Sequence, residues 1–224
     1  MLALVLSLAT LTAPPAAPAD DALVVLEHLE PRWRFDLVYA RADNFAGRVI
    51  YTHAVCALRR AVAQELRGAQ RYLDQHHAGL VLLFKDCYRP DHAQRVLFAA
   101  VRGTPKARYV ADPRGARGSM HSYGAAVDVT LADADGRELD LGTPHDFLGA
   151  LAEPRLEARF VAEGKLTAAQ VERRAILRAA MRAGGMRSIP NEWWHFDAGR
   201  HDEIVARYSR LDVALDAIAT SGRD

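Results

Sequence analysis

Charge of one sign is the first thing this sequence lacks. Its 224 residues carry 29 basic and 28 acidic side chains, a net charge of +1, which provides no broad electrostatic footprint for nucleic acid or an acidic membrane surface. A local pair such as Arg173-Arg174 reads as a solvated helix face. Cysteine is almost absent: Cys56 and Cys87 are the two present, and their spacing excludes a cysteine-based zinc site. Two such residues suit one disulfide in an exported protein or two buried free thiols, and both readings stay open. After the first nineteen residues there is no internal repeat and no low-complexity segment.

What is present has the balance of a globular protein, with half of the residues apolar and a quarter charged. The length suits one sizeable core rather than two. The opening MLALVLSLATLTAPPAAPA carries no charge, begins with an apolar run and ends in Ala17-Pro18-Ala19, a small-residue pattern suited to signal-peptidase cleavage. That run is short for a membrane span and is broken by Pro14 and Pro15, although it also lacks the basic residues that usually open a signal. The expectation is a signal peptide over 1–19 and a mature domain over 20–224, exported, periplasmic and free of the membrane after cleavage.

Asp20 to Asp36 reads as an extended lead-in and Tyr39 to Tyr51 as a loop. From His53 to His77, apolar residues at Val55, Leu58, Val62, Leu66, Ala69 and Leu73 recur every three or four positions, which predicts one helix closed by Gly79. Leu80 to Phe84 is a continuous apolar run and predicts a central strand. Asp91 is placed to cap a helix that ends near Gly103. Ala125 to Leu131 alternates as a strand, with Asp128 on its less apolar face. Thr167 and Gln170 form a capping box for a helix to Arg182, stopped by Gly184-Gly185. Ile189 to Phe196 reads as strand, and the tail from Asp202 as helix. The predicted fold class is α+β, with helices packed on a mainly antiparallel sheet.

Two clusters carry chemistry. A catalytic zinc site needs three protein ligands and one open position. In Ser119-Met120-His121-Ser122-Tyr123-Gly124-Ala125-Ala126-Val127-Asp128, a histidine in a turn precedes a strand bearing Asp128, and Gly124 allows a sharp bend between them. In Asn191-Glu192-Trp193-Trp194-His195-Phe196-Asp197, Glu192 and His195 are three residues apart, and on a regular strand they would face opposite ways. They share a site only if the strand is bulged or if Glu192 lies just before it, which Pro190-Asn191 favours. Taken alone, the first cluster reads more readily as chance and the second as ordinary packing.

Together they resemble the D-Ala-D-Ala dipeptidase family, the zinc peptidases known from vancomycin resistance and peptidase family M15, within the wider group of D-alanyl carboxypeptidases and Hedgehog-type domains. The likeness runs through five stretches in order: Tyr39 to Gly47, Asp86-Cys87-Tyr88-Arg89-Pro90, Ser119 to Asp128, Leu141 to Phe147, and Glu192-Trp193-Trp194-His195. The resemblance implies the Hedgehog-like zinc peptidase fold and one zinc ion per chain, bound by His121, Asp128 and His195. It implies that Glu192 is general base and then acid, that Arg89 stabilises the oxyanion, and that Asp146, with Tyr39, anchors the substrate ammonium while Ser119 meets its carboxylate. The expected reaction is hydrolysis of D-alanyl-D-alanine to two D-alanines. An exported enzyme cannot drain a cytoplasmic dipeptide pool, so the expected role is cell-wall dipeptide recycling or nutrient use rather than resistance.

Two departures stand out. His145 occupies a position where the family pattern leads one to expect an aromatic or other bulky residue, which puts a further ionisable group near the pocket, and Tyr123 differs from the resistance enzymes. His28, His53, His76, His77, His92 and His201 have no ligand spacing and read as surface or core residues. The alternatives are a peptidoglycan D,D- or L,D-carboxypeptidase with a pocket open on the amine side, and a zinc-containing binding domain without catalysis.

Overall fold

The structure is a computed structural model that describes residues 21–221; the signal expected over 1–19 lies outside the described residues. Five strands form the central sheet: β2 (Arg34–Phe35), β4 (Val81–Asp86), β5 (Ala126–Ala132), β6 (Arg187–Ser188) and β7 (His195–Asp197). Their order is β2-β4-β5-β7-β6, and every neighbouring pair is antiparallel except β2 with β4. A separate antiparallel pair joins β1 (Leu23–Val25) to β3 (Ala57–Arg59). The helices are α1 (Arg60–His76), α2 (Asp91–Val101), α3 (Glu157–Ala162), α4 (Ala168–Ala183), α5 (His201–Arg207) and α6 (Leu215–Ser221). This is the α+β class read from the sequence.

The two middle strands, β4 and β5, are buried along their whole length. A strand covered on both faces needs a near-continuous apolar run, which is why Leu80 to Phe84 was legible. The apolar stripe of α1, with Val62, Leu66, Ala69 and Leu73 all buried, packs beside α4, which buries Leu177, Ala180 and Met181. The two backbones meet at Gly68, where a Cβ would fall 2.5 Å from the Ala183 carbonyl oxygen. Thr167 and Gln170 close the capping box of α4 as expected, and Gly184 follows its last turn.

Several expectations are corrected. The helix predicted from His53 starts at Arg60, because Ala57–Arg59 is drawn into pairing with Leu23–Val25. Asp91 does not cap α2; it lies in the first turn, where its carboxylate meets Arg95 and Arg210. The strand predicted over Ile189 to Phe196 is interrupted: β6 ends at Ser188 and β7 begins at His195. Arg174 is fully buried rather than solvated. Its guanidinium lies over the Trp193 ring at 5.6 Å, and its Nε donates to the Leu141 carbonyl at 2.7 Å. Cys56 and Cys87 form a disulfide, which settles the alternative left open by the sequence.

Candidate active site

Sheet register builds the first half of the site. A register shift between Phe84 and Asp86 brings Asp86 opposite Asp128, and Asp128 is opposite His195. Paired positions on neighbouring strands project to one face with Cβ atoms about 5 Å apart, so three polar side chains from three strands form a row. His121 enters from elsewhere, on the single helical turn Met120–Tyr123. That turn is stopped by Gly124 at φ 68°, where a Cβ would also lie 2.7 Å from Leu23 Cδ2. Only glycine meets both conditions.

The result is a tight cluster. His195 Nδ1 lies 3.0 Å from Asp128 Oδ1, and His121 Nε2 lies 3.1 Å from His195 Nδ1 and 3.3 Å from Asp128 Oδ1. The outward ring nitrogens are committed as donors: His121 Nδ1 to the Cys87 carbonyl at 2.6 Å, and His195 Nε2 to Asp197 Oδ1 at 2.9 Å. In the neutral rings, two imidazole lone pairs and a carboxylate oxygen therefore converge on one point. Such a donor set repels itself unless a cation or a proton sits among it, and two nitrogens with one oxygen suit zinc with a position left open. The residues fit a metal, and the three ligand atoms lie within 4.8 Å of one another.

Around this cluster the other expected residues open into one cavity of about 340 Å³, whose lining includes Tyr39, Arg89, Ser119, Asp146 and Glu192. Glu192 sits in the irregular stretch between β6 and β7, so the alternation of a strand does not apply to it and it faces the same cavity as His195. Burial pushes its carboxyl up to about 8, with the charges of Asp128 and Asp146 adding to the effect and His195 opposing it. The Arg89 guanidinium is fixed by Asp86 Oδ2, 2.8 Å from its Nε, and by Gln94 Oε1 at 2.7 Å. Its NH2 group lies 3.4 Å from Asp128 Oδ2 and its plane 5.1 Å from the Tyr39 ring centre. Asp86 also accepts from the Tyr51 hydroxyl at 2.7 Å.

Asp146 is the one described non-glycine residue with left-handed backbone, at φ 61°. Such a conformation costs roughly 1–3 kcal/mol and persists where surrounding contacts enforce it. The Tyr39 hydroxyl donates to Asp146 Oδ2 at 2.9 Å, and burial raises the carboxyl above its ordinary range. Arg174 steadies the same segment at both ends, through the carbonyls of Leu141 and Leu151, while Trp193 Nε1 donates to Thr143 Oγ1 at 2.8 Å. His145 is wedged beside it, with Nδ1 3.4 Å from Asp146 Oδ2 and Nε2 3.4 Å from Asp128 Oδ2. The extra ionisable group anticipated near the pocket is there, packed against Trp194.

Residues 20–213 match the family model described as D-ala-D-ala dipeptidase. The chain belongs to the D-Ala-D-Ala dipeptidase family. It is 36% identical over 179 residues to the D-alanyl-D-alanine dipeptidase of Escherichia coli (strain K12), covering 78% of this chain and 83% of that one. It is 26% identical over 179 residues to a protein of the same name from Enterococcus faecium, covering 73% of this chain and 84% of the other. A Synechocystis relative, also so named, is 36% identical over 108 residues, covering 46% of this chain and 43% of that one.

Within this family member, sequence reasoning missed the residues that hold the site rather than form it. Asp86 and Gln94 orient Arg89, and Asp197 orients His195. His201, read from sequence as ordinary surface or core, hydrogen-bonds Asp197 at 3.0 Å and lines the cavity. The available signals were position two after His195 for Asp197 and position three before Arg89 for Asp86, and both are ordinary spacings. Among the described residues no helix is long and apolar enough to cross a membrane.

Proposed function

We propose that this chain hydrolyses D-alanyl-D-alanine to two D-alanines, with zinc held by His121, Asp128 and His195 and with Glu192 as general base and then general acid. The observation that carries the reading is the opening of a metal-fitting triad, a buried carboxyl, a fixed guanidinium and a second carboxylate into one small cavity. The names of the relatives supply the substrate.

When bound, zinc supplies Lewis acidity, which brings the pKa of a hydrolytic water towards neutrality. Glu192 takes the proton of the attacking water and delivers it to the leaving amine; a carboxyl raised towards neutral pH is matched to both transfers. Arg89, held in place before substrate arrives, faces the negative charge that develops on the carbonyl oxygen. Asp146 has one oxygen engaged by Tyr39 and offers the other to the substrate ammonium. That ammonium restores the charged form that burial disfavours, so the anchor is strongest when a free amino terminus is present. Ser119, buried at the cavity wall, receives the substrate carboxylate. The partner is thus a small D-amino-acid dipeptide.

The deciding experiment measures zinc content and alanine release from D-Ala-D-Ala for the wild type and Glu192→Ala. One zinc per chain, with turnover falling about 10²–10⁴-fold in the variant, is expected. Metal bound without wild-type turnover indicates a binding domain. Efficient cleavage of pentapeptide stems by the wild type, with dipeptide activity lost in Asp146→Ala, indicates a carboxypeptidase instead. Residues 1–19 act as an export signal, 20–224 form the mature domain, and the enzyme works in the periplasm on dipeptides released from the cell wall. The disulfide suits an oxidising compartment. Failure of Met1–Asp20 to export a fused reporter sinks that placement.

A further inference from the structure

Strand β7 places His195 and Asp197 two residues apart, hence on one face of the sheet. Opposite Asp197 in β5 is Ala126, whose methyl leaves room for a carboxylate beneath the metal triad. Asp197 is 2% exposed, and both of its oxygens are engaged by imidazoles: Oδ1 by His195 Nε2 at 2.9 Å and Oδ2 by His201 Nε2 at 3.0 Å. His201 opens α5, is 45% exposed and borders the cavity that holds the triad. A continuous chain of contacts therefore runs from the outer nitrogen of His195 through a buried carboxylate to the surface.

We propose that Asp197, backed by His201, is a positioning carboxylate for the metal centre, which keeps the N–H of His195 on Nε2 and its lone pair on Nδ1 and thereby sets the zinc affinity of the triad. The inference rests on the reading of His121, Asp128 and His195 as the zinc ligands. A neutral imidazole carries one proton and can place it on either nitrogen. His195 meets a carboxylate on each side, Asp128 Oδ1 at 3.0 Å from Nδ1 and Asp197 Oδ1 at 2.9 Å from Nε2. Without Asp197, Asp128 would draw the proton to Nδ1, and the ligand nitrogen would be blocked. With Asp197, the outer position wins and the inner lone pair stays available. His201 donates from Nε2 to the second oxygen of Asp197 at 3.0 Å and so fixes the plane of the carboxylate. His121 is handled differently, since a backbone carbonyl, Cys87 O, takes its outer proton. The two histidines thus have separate supports: a side-chain carboxylate hydrogen-bonds the outer nitrogen of His195, whereas at His121 the hydrogen bond goes to backbone and the nearest carboxylate, Asp86 Oδ2, lies 3.7 Å away.

Outer partners of metal-bound histidines typically change metal affinity by about 10–100-fold when removed. The experiment titrates zinc into the full metal-free chain against a chelator of known affinity, for wild type, Asp197→Ala, Asp197→Asn and His201→Gln. Imidazole nitrogen NMR of the metal-free proteins at a pH where the rings are neutral reports the tautomer of His195. Asp197→Ala should lose 10–100-fold in zinc affinity and shift the His195 proton towards Nδ1. Asp197→Asn keeps an acceptor oxygen and should lose less, and His201→Gln least. Should Asp197→Ala fail to fold, the nearly isosteric Asp197→Asn and the surface change His201→Gln carry the same comparison. Zinc affinity within twofold of wild type in the folded Asp197 variants, with the tautomer unchanged, overturns the proposal alone. A wild type that binds no zinc overturns both this proposal and the metal reading beneath it.

Discussion

The metal-free protein exposes what burial does to Glu192. Burial moves its carboxyl from the ordinary 4.5 up to about 8. The folded chain therefore holds this proton more tightly than the unfolded chain does. Below pH 4.5 both states are protonated and the group has no net effect. Between 4.5 and about 8 the unfolded state ionises first, so stability falls as pH rises, by up to about 1.4 kcal/mol per pH unit. Integrated over the window, the ceiling is about 4–5 kcal/mol, reduced by whatever the neighbouring charges do in response. Asp146 and His195 are also raised and pull the same way, so the share of Glu192 must be read as a difference. Urea unfolding of chelator-treated wild type and Glu192→Gln at pH 5, 6, 7 and 8 provides it. The variant should gain on the wild type steadily through this range, by about 2–3 kcal/mol or more at the upper end. Added zinc should shrink the gap, because a nearby dication favours the ionised carboxylate. A difference between the two proteins that stays constant within about 0.5 kcal/mol refutes the burial argument.

Arg89→Lys keeps the charge but cannot reproduce the forked contacts to Asp86 and Gln94; kcat on D-Ala-D-Ala should fall about 10²–10³-fold at unchanged zinc content, and an unaltered kcat removes Arg89 from the mechanism. Gly124→Ala forces a left-handed alanine against Leu23 and should cost at least about 1–2 kcal/mol in urea unfolding, while a neutral result contradicts the role of that turn in seating His121. The double change Cys56→Ser, Cys87→Ser opens a link spanning 31 residues and should cost about 3–4 kcal/mol; a loss below about 1 kcal/mol means that the disulfide constrains little.

The elements that the sequence made legible are those whose environment is set by a single periodicity. Leu80 to Phe84 is buried on both faces, so every residue is apolar, and the stripe of α1 needs a repeat of three to four. The capping box of α4 is local, since the side chains of Thr167 and Gln170 each accept from the other's backbone N–H. Where a distant partner decides, the sequence misled. Residues 57–59 carry the same apolar spacing as the helix that follows, and only pairing with Leu23–Val25 turns them into strand. Arg174 looked solvated because its partners are the Leu141 carbonyl, more than thirty residues away, and the face of Trp193.

The site divides along the same line. The candidate catalytic and metal-binding residues come in short runs, and the motifs around His121, Asp128, Glu192 and His195 could be read from chain order. Residues that orient them are joined by sheet register, which no spacing encodes. Asp86, Asp128 and His195 form one row only because β4, β5 and β7 are neighbours and because β4 shifts register after Phe84. The objection that Glu192 and His195 should face opposite ways disappears for a related reason: β7 starts at His195 itself, so Glu192 approaches from an irregular segment and not along the strand. The shortness of β7 is therefore what leaves Glu192 free to face the same cavity as His195. Three residues pair His195 with β5 and carry Asp197 onto the same face, and extending the strand by three residues towards the amino end, as far as Glu192, would turn the buried carboxyl to the opposite face.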